Sequence, residues 1–225
     1  PGVRVVVSPS QPSVGALFNL LAKGSTGEWL IPFPDDYEIV EPDWAERLRR
    51  GVLALPCGLG VAYLRDPLYP SFTTFPVVSR RMTELNGFFM PEFFPFLFGD
   101  TWWNEIANLT GVKQPIEAHV RMMIVHGNEH RYRDFLVWAN LFERTRPLRV
   151  ETATKAVREI FNRYETEADW LVSTMPNRSE MCKANQQHMF ESSFVEKWNN
   201  TDPRPAPERY LTLRRKAERF LELFP

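Results

Sequence analysis

Residues 88–98 read Phe-Phe-Met-Pro-Glu-Phe-Phe-Pro-Phe-Leu-Phe, six phenylalanines in eleven positions, and no other stretch limits the fold as strongly. Rings at that density are an aggregation or membrane-contact liability when left in water, so the chain must build a core around them. Pro91 and Pro95 forbid a regular helix through the middle of the run. The expectation is a loop or bent element whose rings fill the interior beneath a cleft. A chain of 225 residues can enclose one substantial core, with a helical appendage besides.

Upstream, strands and helices alternate. Val3 to Val7 is a β-branched run, Pro9 to Ser13 punctuates, Val14 to Lys23 is helical in composition, and Gly24 and Gly27 precede an apolar strand from Trp29 to Phe33. This reads as a β-α-β unit. Asp43 is expected to cap a helix running to Arg50, and Gly58 to Leu64 and Phe75 to Val78 are expected strands. A short helix then stops at Asn86-Gly87. Past the aromatic run a helix is expected from Trp102 to Leu109, and a strand from Ile116 to Val125. The remainder has a helical period: Tyr132 to Phe142, Thr152 to Met175, a polar stretch around Met181 to Trp198, and Glu208 to Phe224 after a Pro-rich linker at 199–207. The last helix offers Leu211, Ala217, Phe220 and Leu221 for one face. The fold class is therefore α/β, with a mixed sheet flanked by helices over residues 1–145 and a helical C-terminal extension over 146–225.

The Trp29 to Phe33 run ends in Pro34-Asp35-Asp36, so two adjacent carboxylates stand at the mouth of a strand. Open α/β sheets bind ligands outside the carboxyl ends of their strands, where such carboxylates can hold a divalent cation. Pro and Asp are equally common in solvated turns, which is the plainer account of the same residues. Asp100, at the start of the expected helix, suits either a helix cap or a carboxylate facing a cavity. His119, His126 and His130 fall close together, but Gly127-Asn128 argues against two imidazoles on one helix face, so one histidine as a single ligand is the better expectation. Trp102 and Trp103 are expected as core residues or as the apolar floor of a ligand site.

With 27 basic and 28 acidic residues there is no overall field for nucleic acid or an anionic surface, and nucleic acid is not an expected partner. No apolar run reaches the roughly 18 residues of a membrane span. Cys57 and Cys182 alone form no disulfide framework, which suggests a reducing compartment and a cytoplasmic location. The start at Pro1 suggests a processed or excised segment.

The segments STGEWLIPFPDDYEIVEPDW (25–44), GFFMPEFFPFLFGDTWWNEIANLTG (87–111) and VHGNEHRYRD (125–134), in that order, resemble a GT-A-fold glycosyltransferase of the family-2-like kind over roughly residues 3 to 140. The resemblance covers the carboxyl-terminal two thirds of such a domain and lacks its first nucleotide-binding βα segment. It implies transfer of a sugar from a nucleotide-sugar donor to a glycan or other hydroxyl acceptor, inverting and dependent on Mn²⁺ or Mg²⁺. Asp36 matches the last Asp of the family's acidic motif, the metal ligand; Asp35 is the central residue, and Pro34 stands where the family has its first Asp. Gly87-Phe88 and Gly99-Asp100 match the landmarks around the catalytic base, which makes Asp100 the base. His126 matches the histidine that completes metal coordination, with His130 second. Asp35 and Asp36 are thus the donor-site residues and Asp36 with His126 the metal ligands. The missing segment, or a protein partner, would complete the donor site. Two rivals stand beside this reading: a non-enzymatic interaction module or degenerate relative that docks a partner through its helical tail, and a metal-dependent hydrolase using Asp35, Asp36 and the histidines.

Overall fold

The structure, a computed structural model, describes residues 5–8, 13–95, 98–123, 133–162, 165–199 and 205–223. Strands β1 (Trp29–Leu30), β2 (Tyr37–Ile39), β3 (Val61–Arg65), β4 (Phe75–Ser79) and β5 (Lys113–Met122) form one sheet in the order β1-β4-β3-β5-β2. β3 and β5 run parallel; every other pairing is antiparallel. The protein is therefore α/β with a mixed sheet.

Alternation along the strands sends side chains to two cores. Ala62, Leu64, Phe75, Val77, Ile116, Ala118 and Val120 share one face with Val52 of helix α2 (Trp44–Leu53) and Leu55 just after it. Val61 and Val78 belong to the opposite core, with helix α4 (Gly99–Thr110) and the aromatic run. That second core continues through helices α5 (Phe135–Arg144), α6 (Arg146–Ile160) and α10 (Glu208–Leu223), whose Trp138, Ala156, Tyr210, Leu213 and Ala217 are all buried in it. Helices α7 (Glu165–Ser173), α8 (Met175–Gln186) and α9 (Ser192–Trp198) complete the chain, with Met175 and Cys182 of α8 packed on Leu109 and Val157.

The aromatic run is irregular, as its prolines require, and Phe89, Met90, Phe94 and Phe98 are buried. An irregular buried segment must find partners for its backbone polar groups. Here they come from helix α1 (Val14–Gly24). The Asn19 amide accepts from the backbone N–H groups of Phe89 (3.0 Å) and Met90 (2.8 Å) and donates to the Met90 carbonyl at 2.8 Å. Ser13, which caps α1 by accepting from Ala16, donates to the Glu92 carbonyl at 2.7 Å. The helix can come this close because residue 15 is glycine: a Cβ there would lie 2.5 Å from the Pro91 carbonyl oxygen. At the other end of the run, Asn86 closes helix α3 (Arg80–Asn86), which Gly87 stops in the left-handed region at φ 86°. The Asn86 carboxamide donates to the Phe88 carbonyl and accepts from Trp102 Nε1 and the Thr152 hydroxyl, so one side chain joins α3, the aromatic run, α4 and α6.

Several expectations change. Val5 to Val7 form no strand, and Val5 and Val7 are 80 % and 87 % exposed; β-branched residues favour a strand only where a partner strand and a packed face exist. The β-α-β unit therefore has no first strand among the described residues. The strand expected from Trp29 to Phe33 is two residues long, since Pro32 and Pro34 can donate nothing to a ladder. Asp43 does not cap α2 through its side chain but accepts from Arg47 Nε at 2.8 Å. The helix expected from Thr152 to Met175 is two helices, α6 ending at Ile160 and α7 starting at Glu165. No helix among the described residues is long and apolar enough to cross a membrane.

Candidate functional site

The parallel pair gives the sheet one edge where β3 and β5 both end, and three connections meet there. β1 points toward that edge, because it runs antiparallel to β4 and β4 antiparallel to β3. Its continuation carries Asp35 and Asp36 in a turn before β2. Rings pin this turn to the start of β4: Phe33 and Tyr37 pack on Phe75 with centroids 5.6 and 4.8 Å apart. The Met123 N–H donates to the Asp36 carbonyl at 2.8 Å, fixing the turn to the end of β5. Asp35 is exposed and Asp36 half-buried.

From the end of β3 comes Asp66, only 5 % exposed, which accepts from the Leu68 N–H at 2.9 Å. The third contributor is the amino end of α4. Phe98 turns into it through the left-handed region at φ 71°, and the buried Thr73 hydroxyl donates to the Asp100 carbonyl at 3.1 Å, tying α4 to the strand β4 connection. Asp100 is half-buried. That burial raises its pKa above the ordinary value, against the N–H and hydroxyl of Thr101, which both donate to Oδ1 and favour the charge.

Tyr37, the first residue of β2, feels these groups through their charge. Burial raises its phenol pKa, and Asp66, Asp36, Tyr69 and Asp100 each push it further. Asp36 and Asp100, 64 positions apart in sequence, therefore act electrostatically on the same hydroxyl. Sequence reasoning missed Asp66 and Tyr37. Asp66 had a signal: it follows an apolar strand and precedes a proline, the usual place for a chain reversal.

The histidines divide. His119 is a structural residue of β5: its N–H donates to Glu41 at 2.7 Å and its Nδ1 lies 2.5 Å from the other carboxylate oxygen. Burial pushes the Glu41 carboxyl up, but the hydrogen bonds from His119 outweigh it and hold the pKa below its usual value. His126 and His130 lie outside the described residues. Among the described residues no three His, Cys, Asp or Glu side chains converge as a full protein metal cage requires. Trp102 and Trp103 are wholly buried and serve as core, so neither is a floor for a ligand.

A carboxyl whose folded pKa is raised binds its proton more tightly in the folded than in the unfolded chain. Its contribution to stability then falls as pH rises from the ordinary value of 3.8 through the folded value. Asp100→Asn removes that penalty while keeping an oxygen for Thr101. The expected result is a higher Tm than the native chain at pH 7 and no difference below pH 3.8, checked by thermal melts across that range. A lower Tm at pH 7 would mean that the amino end of α4 stabilises the carboxylate more than burial opposes it.

Comparison of the chain with family models, with curated proteins and with solved structures gives no match.

Proposed function

We propose that this chain carries the metal and acceptor side of an inverting glycosyltransferase that moves a sugar from a nucleotide-sugar to an acceptor hydroxyl. Topology supports the reading above all: the Asp36 carbonyl is tied to Met123 at the end of β5, and Thr73, just before β4, holds the Asp100 carbonyl, so both residues lie toward the carboxyl ends of the parallel strands, where open α/β sheets place their ligands. Asp36 suits Mn²⁺ or Mg²⁺ because its oxygens are hard donors, and Mg²⁺ is commonly held by one or two carboxylates plus the phosphates of its substrate rather than by a protein cage. Bound there, the cation would offset the charge on the leaving diphosphate.

The rest falls to the chain's own groups. The raised pKa of Asp100 makes it a stronger base than a solvated carboxylate. As the acceptor oxygen bonds to the anomeric carbon, the bond from that carbon to the diphosphate breaks and the hydroxyl proton passes to Asp100. A direct displacement needs no covalent nucleophile. Thr73 and Thr101 hold the backbone and carboxylate of Asp100 in place for this.

The test is a thermal-shift series with UDP, GDP, dTDP and CDP, each with and without Mn²⁺. The expected result is a shift that needs both one nucleotide and the metal and is lost in Asp36→Ala. With the matching nucleotide-sugar and a saccharide acceptor, Asp36→Ala and Asp100→Asn are each expected to lower transfer by about 10²-fold or more without loss of fold. Native-level transfer by either variant removes that residue from the reading; absence of any nucleotide-and-metal shift removes the donor site from this chain.

A further inference from the structure

Lys113, the first residue of β5, is half-buried, and its ammonium meets neutral groups. It donates to the Asn104 side-chain oxygen at 2.7 Å and to the Ser71 carbonyl, and it lies 5.4 Å from the centroid of the Tyr63 ring. Among the described residues no carboxylate pairs with it. Charges drawn out of water are usually matched by opposite charges. Burial pulls the Lys113 pKa below its ordinary value. A neutral donor would join the same two oxygens without that cost. The cation instead makes a charge-assisted bond to each oxygen, stronger than a neutral one, from a single atom.

The two oxygens belong to elements of the candidate site. Asn104 stands one turn beyond Asp100 on α4, so the two share a face of the helix. Ser71 lies two residues before Thr73, whose hydroxyl donates to the Asp100 carbonyl at 3.1 Å. The end of the β3–β4 connection, residues 66–74, therefore runs along the Asp100–Asn104 face of α4. Thr73 stitches it at Asp100 and Lys113 at Asn104. The connection is irregular and makes bonds of its own: the Asp66 carboxylate accepts from the Leu68 N–H, its carbonyl from the Tyr69 N–H, and the Tyr69 carbonyl from the Phe72 N–H. Those bonds fix its shape, whereas Lys113 and Thr73 fix its place.

We infer that Lys113 is a positioning residue for the candidate base: by holding Ser71 to Asn104 it seats the β3–β4 connection on the first turns of α4 and keeps the Asp100 carboxyl in its half-buried setting. It touches no reacting group itself. Its bearing on sugar transfer rests on the reading above, while the seating of the connection does not.

Lys113→Met keeps the apolar stem and removes the donors. Amide hydrogen exchange and a carbon-13 titration of the Asp100 carboxyl, both by NMR on the whole chain, test the inference without turnover. Amides of residues 68–74 are expected to exchange about tenfold faster or more, with those inside β3 and β5 within about threefold of native. Asp100 is expected to titrate closer to its ordinary 3.8 than in the native chain. That direction is diagnostic, because loss of a nearby positive charge alone raises a carboxyl pKa, whereas admitting water lowers this one. Lys113→Arg, which keeps a cationic donor, should stay within about threefold of native exchange. Asn104→Ala removes the other half of the clamp, should shift both readouts in the same direction, and decides the matter if Lys113→Met does not fold. Unchanged exchange over 68–74, equal acceleration throughout the sheet, or a higher Asp100 pKa overturns the positioning role. Where the native chain transfers sugar, Lys113→Met should lower kcat about tenfold with donor KM within about threefold. Absence of the nucleotide-and-Mn²⁺ shift in the native chain overturns the transfer reading alone, and the exchange and titration results still decide on Lys113.

Discussion

Replacing Glu105 by Gln is expected to destabilise the protein by about 3–5 kcal/mol. Glu105 projects from α4 into the interface with α6 and α8, has no exposure, and faces two arginines. Arg146 Nη1 is 2.8 Å from Oε1, and Arg149 Nε is 3.1 Å from Oε2. Arg149 is itself wholly buried, stacked 3.8 Å from the Phe142 ring centroid and 4.8 Å from that of Trp102, so desolvation pulls its pKa down to about 10 despite the Glu105 charge. Gln keeps the size and shape of Glu, so no cavity forms, and the loss combines the missing charge with an amide NH2 turned toward the donors of Arg146, Arg149 or Gln186. Two guanidiniums would then share an interior with only the partly exposed Glu143 carboxylate, which pairs with Arg146, left to offset them. Removing one partner of a buried pair is costly because the other charge cannot return to water. Urea melts of Glu105→Gln against native check the size. A loss below about 1 kcal/mol would mean that water reaches the cluster. The combined change Glu105→Leu with Arg149→Met should recover much of the loss, since a packed apolar pair is often no worse than a buried ionic one.

Trp102→Ala is expected to cost a similar amount, about 3–5 kcal/mol, by a different route. The indole is fully buried between Phe88 and Phe93, with centroids 5.3 and 5.6 Å away, and its Nε1 donates to Asn86 at 3.0 Å. Truncation leaves a cavity that rigid neighbours cannot fill, and it exposes one flank of the Arg149 guanidinium. Because Trp102 and Glu105 both touch Arg149, the double variant Trp102→Ala with Glu105→Gln should depart from the sum of the singles by more than about 0.5 kcal/mol. Strict additivity in a double-mutant cycle would show that the stacking contact carries no weight.

Both effects sit on α4, the helix that also carries Asp100. Residues Trp102, Trp103, Glu105, Ile106, Ala107 and Leu109 of α4 are all buried, so the first turn is held from below by aromatic rings and an ion cluster. The candidate base is therefore placed by a rigid element rather than by a loop.

Local chemistry made some of this readable from residues alone. Ser13 before an apolar helix, Gly87 after Asn86, and two prolines in an aromatic run each admit few conformations, and each is found as expected. The acidic turn was also placed correctly at the mouth of β1, although the strand before it is short. What sequence could not supply was partnership. Val5 to Val7 have the composition of a strand and no neighbour to pair with, while Tyr37–Ile39 pairs with the end of β5 from more than eighty residues away and gives no local sign of it. In α10 the expected Ala217 is buried and Leu211 and Phe220 pack against the same core, but Tyr210 and Leu213, which the helical period does not single out, are buried with them, placed there by Trp138, whose Nε1 donates to the Tyr210 hydroxyl at 3.1 Å. The ion cluster about Glu105 was invisible for the same reason, since its members come from three helices.

The bond from Met123 N–H to the Asp36 carbonyl gives the site a birth order. During synthesis the acidic turn leaves the ribosome early, while its anchors arrive late: β4, which receives β1 and the Phe33 and Tyr37 rings, and then the end of β5. Closing such distant pairings is slow compared with forming α1 or α2. A nascent chain arrested before residue 123 would already contain Asp36, Asp66 and Asp100, yet the turn would lack its tie to β5.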